Sequence, residues 1–372
     1  MDITDLTPAT LAALASPRPR PAVTVAMPTH RPATGTEQDS LQLKNLLAEA
    51  RRRIEGDDTL GRAERLDVLE QLQRAAGEVE LRHAAQDGLL LFAAPGEHQV
   101  WKLPRTVPAR VVVSDTFLTR NLVAARAAYA PYWVLTLGAE QVRLWSGAGP
   151  DLEESTDGFP QRPANPEKFD PQREEQIGDT PSVYSHENTR IFYREVDAAL
   201  GALLREAPRP CYLVGVPEAV SLFESVTAHR AMIVARLEKG GLGDGPATAL
   251  APALAPVRQE QARAEREGAL ARLDQAAGLK TLAAGLDEIW RAVTDGRVGE
   301  LVVEEYYRAT VEVTDGHLAP APAGAQPTGT GEIREDVVDE IAERTLETGG
   351  TVTFVPDGTL SGRQSIAAVL RY

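Results

Sequence analysis

The sequence predicts an α/β fold, and three observations carry that reading. Apolar runs of strand length, such as AVTVAMP at 22–28 and CYLVG at 211–215, recur along the chain. Between them lie segments whose apolar residues return at helical spacing. Turn signals rich in Gly, Pro, Asn and Asp separate the two kinds of segment. At 372 residues the chain is long enough for two or three domains, each with its own core.

The first segment runs to about Tyr129. AVTVAMPTH (22–30) reads as a strand entering a loop. A helix follows, with Leu41, Leu43, Leu46 and Leu47 as its apolar side and Arg51, Arg52 and Arg53 at its end, where the helix dipole favours cations. A second helix is expected from Leu60 to His83, with Leu66, Leu69, Leu72, Ala76 and Val79 on one face. GLLLFAAPG, HQVWKLP and ARVVVSD are three strands divided by turn residues, and TRNLVAARAA is a short closing helix.

The second segment starts at Pro131. YWVLTLGAEQVRLWSG reads as a hairpin turning at Gly138, Ala139 and Glu140. The polar stretch from Pro150 to Ser185 is expected to be a long loop. A helix, NTRIFYREVDAALGALLRE, follows with Asn188 as its N-cap. CYLVGV is the next strand, and EAVSLFESVTAHRAMIVARLE is expected to be one helix. GGLGDG (240–245) is read as a helix stop and linker. A phosphate-binding loop would follow a strand and open a helix, whereas here the expected context is a helix before and coil after. A long polar helix, roughly Pro256 to Ala277, leads onward.

The last segment reads helix, strand, helix, strand, strand. Leu282, Leu286, Ile289 and Val293 fall at helical spacing, and Asp295-Gly296 stops that helix. Val298 to Val303 is a strand. Val337, Val338, Ile341 and Leu346 line a second helix ended by Gly349-Gly350, and Val352–Val355 and Ile366–Leu370 complete a small α/β sandwich. The Pro- and Gly-rich stretch DGHLAPAPAGAQPTGTGE is expected to be an insertion without fixed shape. Glu300, Glu304, Glu305, Asp336, Glu340 and Glu343 are expected on solvated faces.

Composition narrows the function classes. The net charge is −15 and the pI is about 5.0. A uniformly basic nucleic-acid binder is thereby excluded, while a local basic patch is not. Before Tyr129 the chain carries 16 basic and 16 acidic residues, so a nucleic-acid contact fits best there. The single cysteine, Cys211, rules out a disulfide within the chain and reads as a small buried hydrophobe. The opening MDITDLTPAT lacks a leader's basic-then-apolar order, and no apolar run approaches membrane-spanning length. A cytoplasmic protein, neither membrane-bound nor DNA-binding, is expected. Few Lys beside many Ala, Arg and Glu fits a GC-rich bacterial genome.

No HExxH, GxSxG or paired Cys/His set occurs. His30 in PTHRP and His186 in YSHENTR stand near loop ends and read as binding contacts rather than catalysts. Trp101, Trp133, Trp145 and Trp290 fall in strand or helix patterns and read as core. No catalytic residue, metal ligand or cofactor site is assigned.

Four stretches in order resemble a known family. VTVAMPTHRPATGTEQDSLQLKNLLAEA, WVLTLGAEQVRLWSG, IFYREVDAAL with CYLVGV, and GRVGELVVEE with DVVDEIAERTLETGG and AAVLRY resemble the bacterial archaeo-eukaryotic release factors, relatives of the peptide-release factor eRF1 and of Pelota. The resemblance implies three domains: an N-terminal α/β domain (1–129), an RNase H-like middle domain (130–255) and a C-terminal domain similar to ribosomal protein L7Ae (256–372). It implies a partner, the ribosome, through rRNA and ribosomal proteins, with a translational GTPase as a further candidate. True release factors carry Gly-Gly-Gln in a middle-domain loop. The matching stretch here, FDPQREEQIGDTPSVYSHENTR, holds Gln176 and Gly178 but no such triplet.

The expected function is therefore a non-catalytic factor that occupies the ribosomal A site in hibernation or rescue without peptide release. Its candidate ribosome or RNA contacts are His30, Arg51, Arg52, Arg53, Arg62, Arg173, Gln176, Gly178, His186 and Arg190. Two other classes stand beside it. One is an adaptor that meets only proteins through the acidic C-terminal segment; the other is a metal-dependent nuclease or hydrolase on the RNase H-like core, which would need carboxylates clustered at strand ends.

Overall fold

A computed structural model describes residues 1–18, 21–30, 36–81, 86–138, 141–155, 181–243, 245–322 and 331–372, without the side chains of Pro8, Thr36 and 181–188. The chain is mixed α/β. It divides into two compact units, residues 1–128 with 266–372, and residues 129–265.

The N-terminal part of the first unit contains α1 (Pro8–Ala15), β1 (Ala22–Pro28), α2 (Thr36–Glu55), α3 (Arg62–Gly77), β2 (Gly88–Ala94), β3 (Glu97–Leu103), β4 (Arg110–Ser114) and α4 (Arg120–Ala128). The strands form an antiparallel sheet in the order β3-β2-β1-β4, with Val25 opposite Leu91 on one side and Val111 on the other. Alternation sends Val23, Val25, Met27, Leu89 and Leu91 to one face, where Leu43, Leu46, Ala50 and Ile54 of α2 and Val68, Leu72 and Ala75 of α3 cover them. On the second face Phe92 stacks on Phe117 at 4.8 Å. Both faces are thus buried, which is why GLLLFAA is a continuous apolar run.

Two expected core leucines are exposed. Leu41 and Leu66 are each 61 % accessible. Leu41 lies two residues from Leu43, about 200° around a helix, so it cannot share that stripe. The buried stripe of α3 is Val68, Gln71, Leu72 and Ala75, and the helix ends at Gly77, not at His83.

The second unit contains β5 (Pro131–Leu137), β6 (Val142–Ala148), β7 (Asp151–Glu154), α5 (Pro181–Glu206), β8 (Cys211–Gly215), α6 (Pro217–Val226), β9 (Ile233–Glu238) and the first part of α7 (Ala247–Leu279). The sheet order is β7-β6-β5-β8-β9. β5, β6 and β7 form an antiparallel meander; β8 and β9 run parallel to β5 and to each other in turn. Trp133, Leu135 and Leu213 pack under Phe192, Val196, Leu200 and Phe223 of α5 and α6. Tyr132, Val134, Trp145 and Val214 face Leu250 and Leu254 of α7. The four tryptophans are core residues, each at most 5 % exposed.

Several expectations for this unit are corrected. Pro150–Ser185 is not all loop, because β7 and the start of α5 fall inside it; residues 156–180, and with them Arg173, Gln176 and Gly178, lie outside the described residues. Asn188 lies within α5 rather than at its N-cap. The expected single helix 218–238 is α6, a 3-10 turn at Arg230–Met232 and strand β9. The cause is Asp197 on α5. Its carboxylate accepts from Thr227 Oγ1 at 2.5 Å and from the Ala228 N–H at 3.0 Å, which stops the helix and frees Ile233 and the residues from Ala235 to Glu238 to pair with β8. The Gly-rich loop therefore follows a strand and opens a helix, the reverse of the expected context. Arg143 Nη1 donates to the carbonyls of Gly243 and Gly245 at 3.2 Å each, and Leu242 is buried in the core.

The C-terminal part of the first unit contains the end of α7, β10 (Leu282–Ala284), α8 (Leu286–Thr294), β11 (Val298–Glu304), β12 (Val311–Thr314), β13 (His317–Pro320), β14 (Glu332–Arg334), α9 (Val337–Glu347), β15 (Thr351–Val355) and β16 (Ile366–Leu370). One sheet runs β10-β16-β11-β15, with β11 parallel to β15. Its Leu301, Val303 and Ala368 pack under Ile289, Val293, Val338 and Ile341, while Val302 and Ala367 meet Ala269 and Leu273 of α7. Leu282 belongs to a strand, because Gly285 at φ +83° turns the chain before α8 begins. The 315–332 stretch is not all shapeless insertion. His317–Pro320 pairs with β12, as does β14, in a second sheet β13-β12-β14; residues 323–330 lie outside the described residues.

The acids expected on solvated faces are the main surprise. Glu304, Asp336 and Glu343 are 6 %, 7 % and 6 % exposed, and Asp339, unnoticed in the sequence, is 2 % exposed. Burial works to raise the pKa of Glu304, but hydrogen bonds from the Leu360 N–H, Ser365 and the Gly358 N–H outweigh it and hold the carboxyl below its ordinary value. The other three meet the N-terminal part of the same unit. Asp336 Oδ2 accepts from Arg110 at 2.8 Å and from Arg120 at 3.4 Å. Asp339 accepts the N–H groups of Thr119 and Arg120 at 2.9 and 2.7 Å, and Glu343 Oε1 accepts from Thr119 Oγ1 at 2.5 Å. Buried cations on β4 and α4 receive Asp336, and N–H and hydroxyl donors at Thr119 and Arg120 receive Asp339 and Glu343, pairings invisible to any local pattern.

Candidate functional site

The P-T-H turn after β1 is built from three anchors. Thr29 is 6 % exposed; its N–H donates to Asp87 O at 3.1 Å and its hydroxyl to Gln86 O at 2.8 Å, tying the turn to the entry of β2. The His30 N–H donates to Asp39 Oδ2 at 2.8 Å, and His30 Nδ1 lies 2.8 Å from Asp39 Oδ1. Asp39 sits in the first turn of α2 and is fully buried, while the His30 side chain stays 49 % exposed.

This geometry sets the imidazole. Asp39 Oδ1, 2.8 Å from Nδ1, orients the ring and leaves Nε2 as the nitrogen available to a partner. An imidazole N–H at that position is a donor suited to a phosphate oxygen. Asp39 was missed in the sequence because an acid in a first helical turn normally serves the helix dipole and carries no sign of burial.

Next along α2 come the arginines. Arg51 Nε lies 2.9 Å from Glu55 Oε1, both exposed. Arg53 is turned inward, donating to Val111 O at 2.7 Å and pairing with Glu335. Arg52 on α2 and Arg62 at the start of α3 are exposed and have no partner among the described residues. The same holds for Lys44, one of the residues sequence reading passed over. The structure thus leaves Lys44, Arg52 and Arg62 on α2 and α3 as open cations, with Arg51 partly neutralised and Arg53 withdrawn. Such side chains can meet a phosphate backbone without sequence preference.

In the second unit, Arg190 is exposed on α5 and His186 lies one turn earlier on the same helix, its side chain outside the described residues. Strands β5, β6 and β8 carry no carboxylate. Among the described residues no group of three or more His, Cys, Asp or Glu side chains is placed to hold a metal ion. Likewise no described helix is long and apolar enough to cross a membrane. Cys211 is fully buried, and desolvation pushes its thiol up to about 12.

Comparison with known proteins bears on residues 131–297, which match the family model of bacterial archaeo-eukaryotic release factor family 3. The chain is similar to this family over that stretch. No curated protein sequence matches it. Among solved structures, a model of ribosome-bound archaeal Pelota with ABCE1 is 12 % identical, covering 98 % of this chain and 94 % of that one at a TM-score of 0.42. Saccharomyces cerevisiae Dom34, a translation termination-like factor, is 12 % identical over 76 % and 81 % of the two chains at 0.40. The archaeal translation termination factor aRF1 is 14 % identical over 100 % and 99 % at 0.26. At TM-scores below 0.5 these likenesses carry nothing about mechanism.

Proposed function

We propose, from the similarity of residues 131–297 to bacterial archaeo-eukaryotic release factor family 3, that this chain is a release-factor-like protein of the cytoplasm that binds the ribosome. The family match is the observation that carries the reading. The order β7-β6-β5-β8-β9, a meander followed by two parallel strands, supports an RNase H-like core in the middle domain, 130–255. Helices packed on both faces of β10-β16-β11-β15 support an L7Ae-like C-terminal domain, 256–372. The separate core of residues 1–128 supports an N-terminal domain ending near 129.

The mode of action is occupancy rather than chemistry. No Gly-Gly-Gln triplet occurs anywhere in the sequence, so the group that positions water in peptide release has no counterpart. A body that fills the A site without that group would hold an idle ribosome or mark a stalled one. Lys44, Arg52 and Arg62, with His30 as a further donor, are the contacts to ribosomal RNA in this reading; a translational GTPase is the further partner.

The experiment is co-sedimentation of the full chain with 70S particles across a salt series. Binding at low salt that fades steeply as salt rises is expected, because phosphate contacts release counterions. Absence from the ribosomal pellet at the lowest salt would overturn the proposal.

A further inference from the structure

The first unit is closed by a buried acid pair. Asp339 spends both oxygens on backbone donors, Oδ1 on the Arg120 N–H at 2.7 Å and Oδ2 on the Thr119 N–H at 2.9 Å. Two such donors favour the ionised form. One turn later on α9, Glu343, equally withdrawn from water, accepts from Thr119 Oγ1 at 2.5 Å, so the two carboxyls meet on the same threonine. Two ionised carboxyls held on one threonine out of water repel each other, and a single proton on one of them removes that repulsion. With Asp339 the acceptor, the proton belongs on Glu343. A protonated Glu343 still receives the Thr119 hydroxyl on Oε1 and has an O–H to offer the ionised Asp339.

We infer that Glu343 carries a proton shared with Asp339, and that this proton locks α9 of the C-terminal part onto the Thr119–Arg120 turn of the N-terminal part, the lock loosening as pH rises. The inference is independent of any ribosome contact.

The surrounding charges leave the proton in place. From β4, Arg110 binds Asp336, and from α4 the Arg120 guanidinium is divided between Asp336 and Tyr307 O, at 2.6 Å for the latter. Arg308, half-buried, feels Arg110, Arg120 and Asp336. On α9 itself Glu340 takes Arg334 at 2.6 Å, and Arg344 lies over the Trp290 ring at 4.4 Å. Asp115 adds negative charge near Glu340. No arginine makes a hydrogen bond to Glu343 among the described residues. Desolvation first, and the charge of Asp339 second, raise Glu343 well above 4.5; desolvation and Asp336 lift Asp339 from 3.8 to about 6. A carboxyl raised on folding stabilises the closed form fully below its unfolded value and loses that contribution as pH climbs through the folded one. The window therefore opens near 4.5 and extends upward past 6.

The test is hydrogen exchange at the Thr119 and Arg120 amides in the full chain from about pH 5 to 9, each rate divided by its intrinsic chemical rate at that pH. The lock predicts protection that falls by up to about tenfold per pH unit between the ordinary carboxyl value and that of the closed form, the limit for one proton, and levels off above it. Glu343→Gln keeps a donor toward Asp339 and an acceptor for Thr119, and should flatten the profile. Thr119→Val retains both carboxyls and should keep the slope. A flat wild-type profile, or the same slope in Glu343→Gln, would overturn the inference. If Glu343→Gln does not fold, carboxyl carbon shifts of the wild-type chain decide: a Glu343 midpoint at or below its ordinary value overturns it, and one raised well above supports it.

Discussion

Arg110 Nη1 on β4 sits 2.8 Å from Oδ2 of Asp336, the residue that opens α9, with both side chains withdrawn from water. Arg120 reaches the same oxygen at 3.4 Å, and the other oxygen, Asp336 Oδ1, is buried without a hydrogen-bond partner. The pair thus links segments 226 residues apart in sequence. Removing Asp336 strands two buried cations, so Asp336→Ala is expected to lower stability by about 3–5 kcal/mol, read as a fall in urea midpoint. Asp336→Asn, which retains an acceptor, should cost less.

The same logic applies to Asp39 on a smaller scale. Its replacement by Ala leaves the His30 N–H without its acceptor and the imidazole without its orienting group. A loss of about 1–3 kcal/mol is expected in denaturant unfolding. Asp39→Ala should also broaden the His30 ring signals in NMR spectra, because the ring loses the contact that fixes its rotamer.

Tyr132 of β5 lies across Gly147, its cross-strand partner on β6. The phenol donates to Gly149 O at 3.1 Å and the Arg258 guanidinium stacks 4.1 Å from the ring. A methyl at 147 would overlap the ring, so Gly147→Ala should cost about 1–3 kcal/mol. Gly77 has nothing within 4 Å of where a Cβ would stand. Gly77→Ala should be neutral or stabilise by up to about 1 kcal/mol, since it only restricts the unfolded chain.

Cys211 should be silent in the native state. Its thiol is fully buried and pushed up to about 12 by desolvation, so almost no thiolate forms near pH 8. A chromogenic disulfide reagent should label it only in denaturant. Full labelling of folded protein within minutes would contradict the burial.

The salt dependence of ribosome binding locates the contact. Replacing Lys44, Arg52 and Arg62 one at a time by Ala should each flatten the log–log salt slope by up to about 1 if that side chain meets a phosphate. Arg53→Ala, whose guanidinium is engaged internally, should change stability more than slope.

Much of the fold was legible along the chain. AVTVAMP, GLLLFAA, CYLVG and ELVVE announce strands because both sheet faces are covered, which demands apolar residues at every position rather than at alternate ones. IVARLE was read as helix because a short run with two β-branched residues carries no period of its own; the tie was broken by Asp197 on α5, far away in sequence. Leu41 and Leu66 misled because Leu is common on both sides of a helix, and only the packed neighbours fix the phase. Of the candidate site, His30 and the arginines were visible as residues, but not which of them face solvent. Arg53 and Arg52 are adjacent in the chain and opposite in fate.

Residues alone determined the class of the molecule: alternating helices and strands, an acidic net charge, a buried thiol and the lack of a Gly-Gly-Gln triplet. These are properties of short windows and sums, which need no knowledge of neighbours. Tertiary structure decided the fate of the charges. Asp39, Asp336, Asp339 and Glu343 look like any solvated acid in sequence, and become buried only because Arg110, Arg120, Thr119 and His30 arrive from elsewhere to receive them. A carboxylate's cost of leaving water depends on what meets it there, and that is settled by the fold.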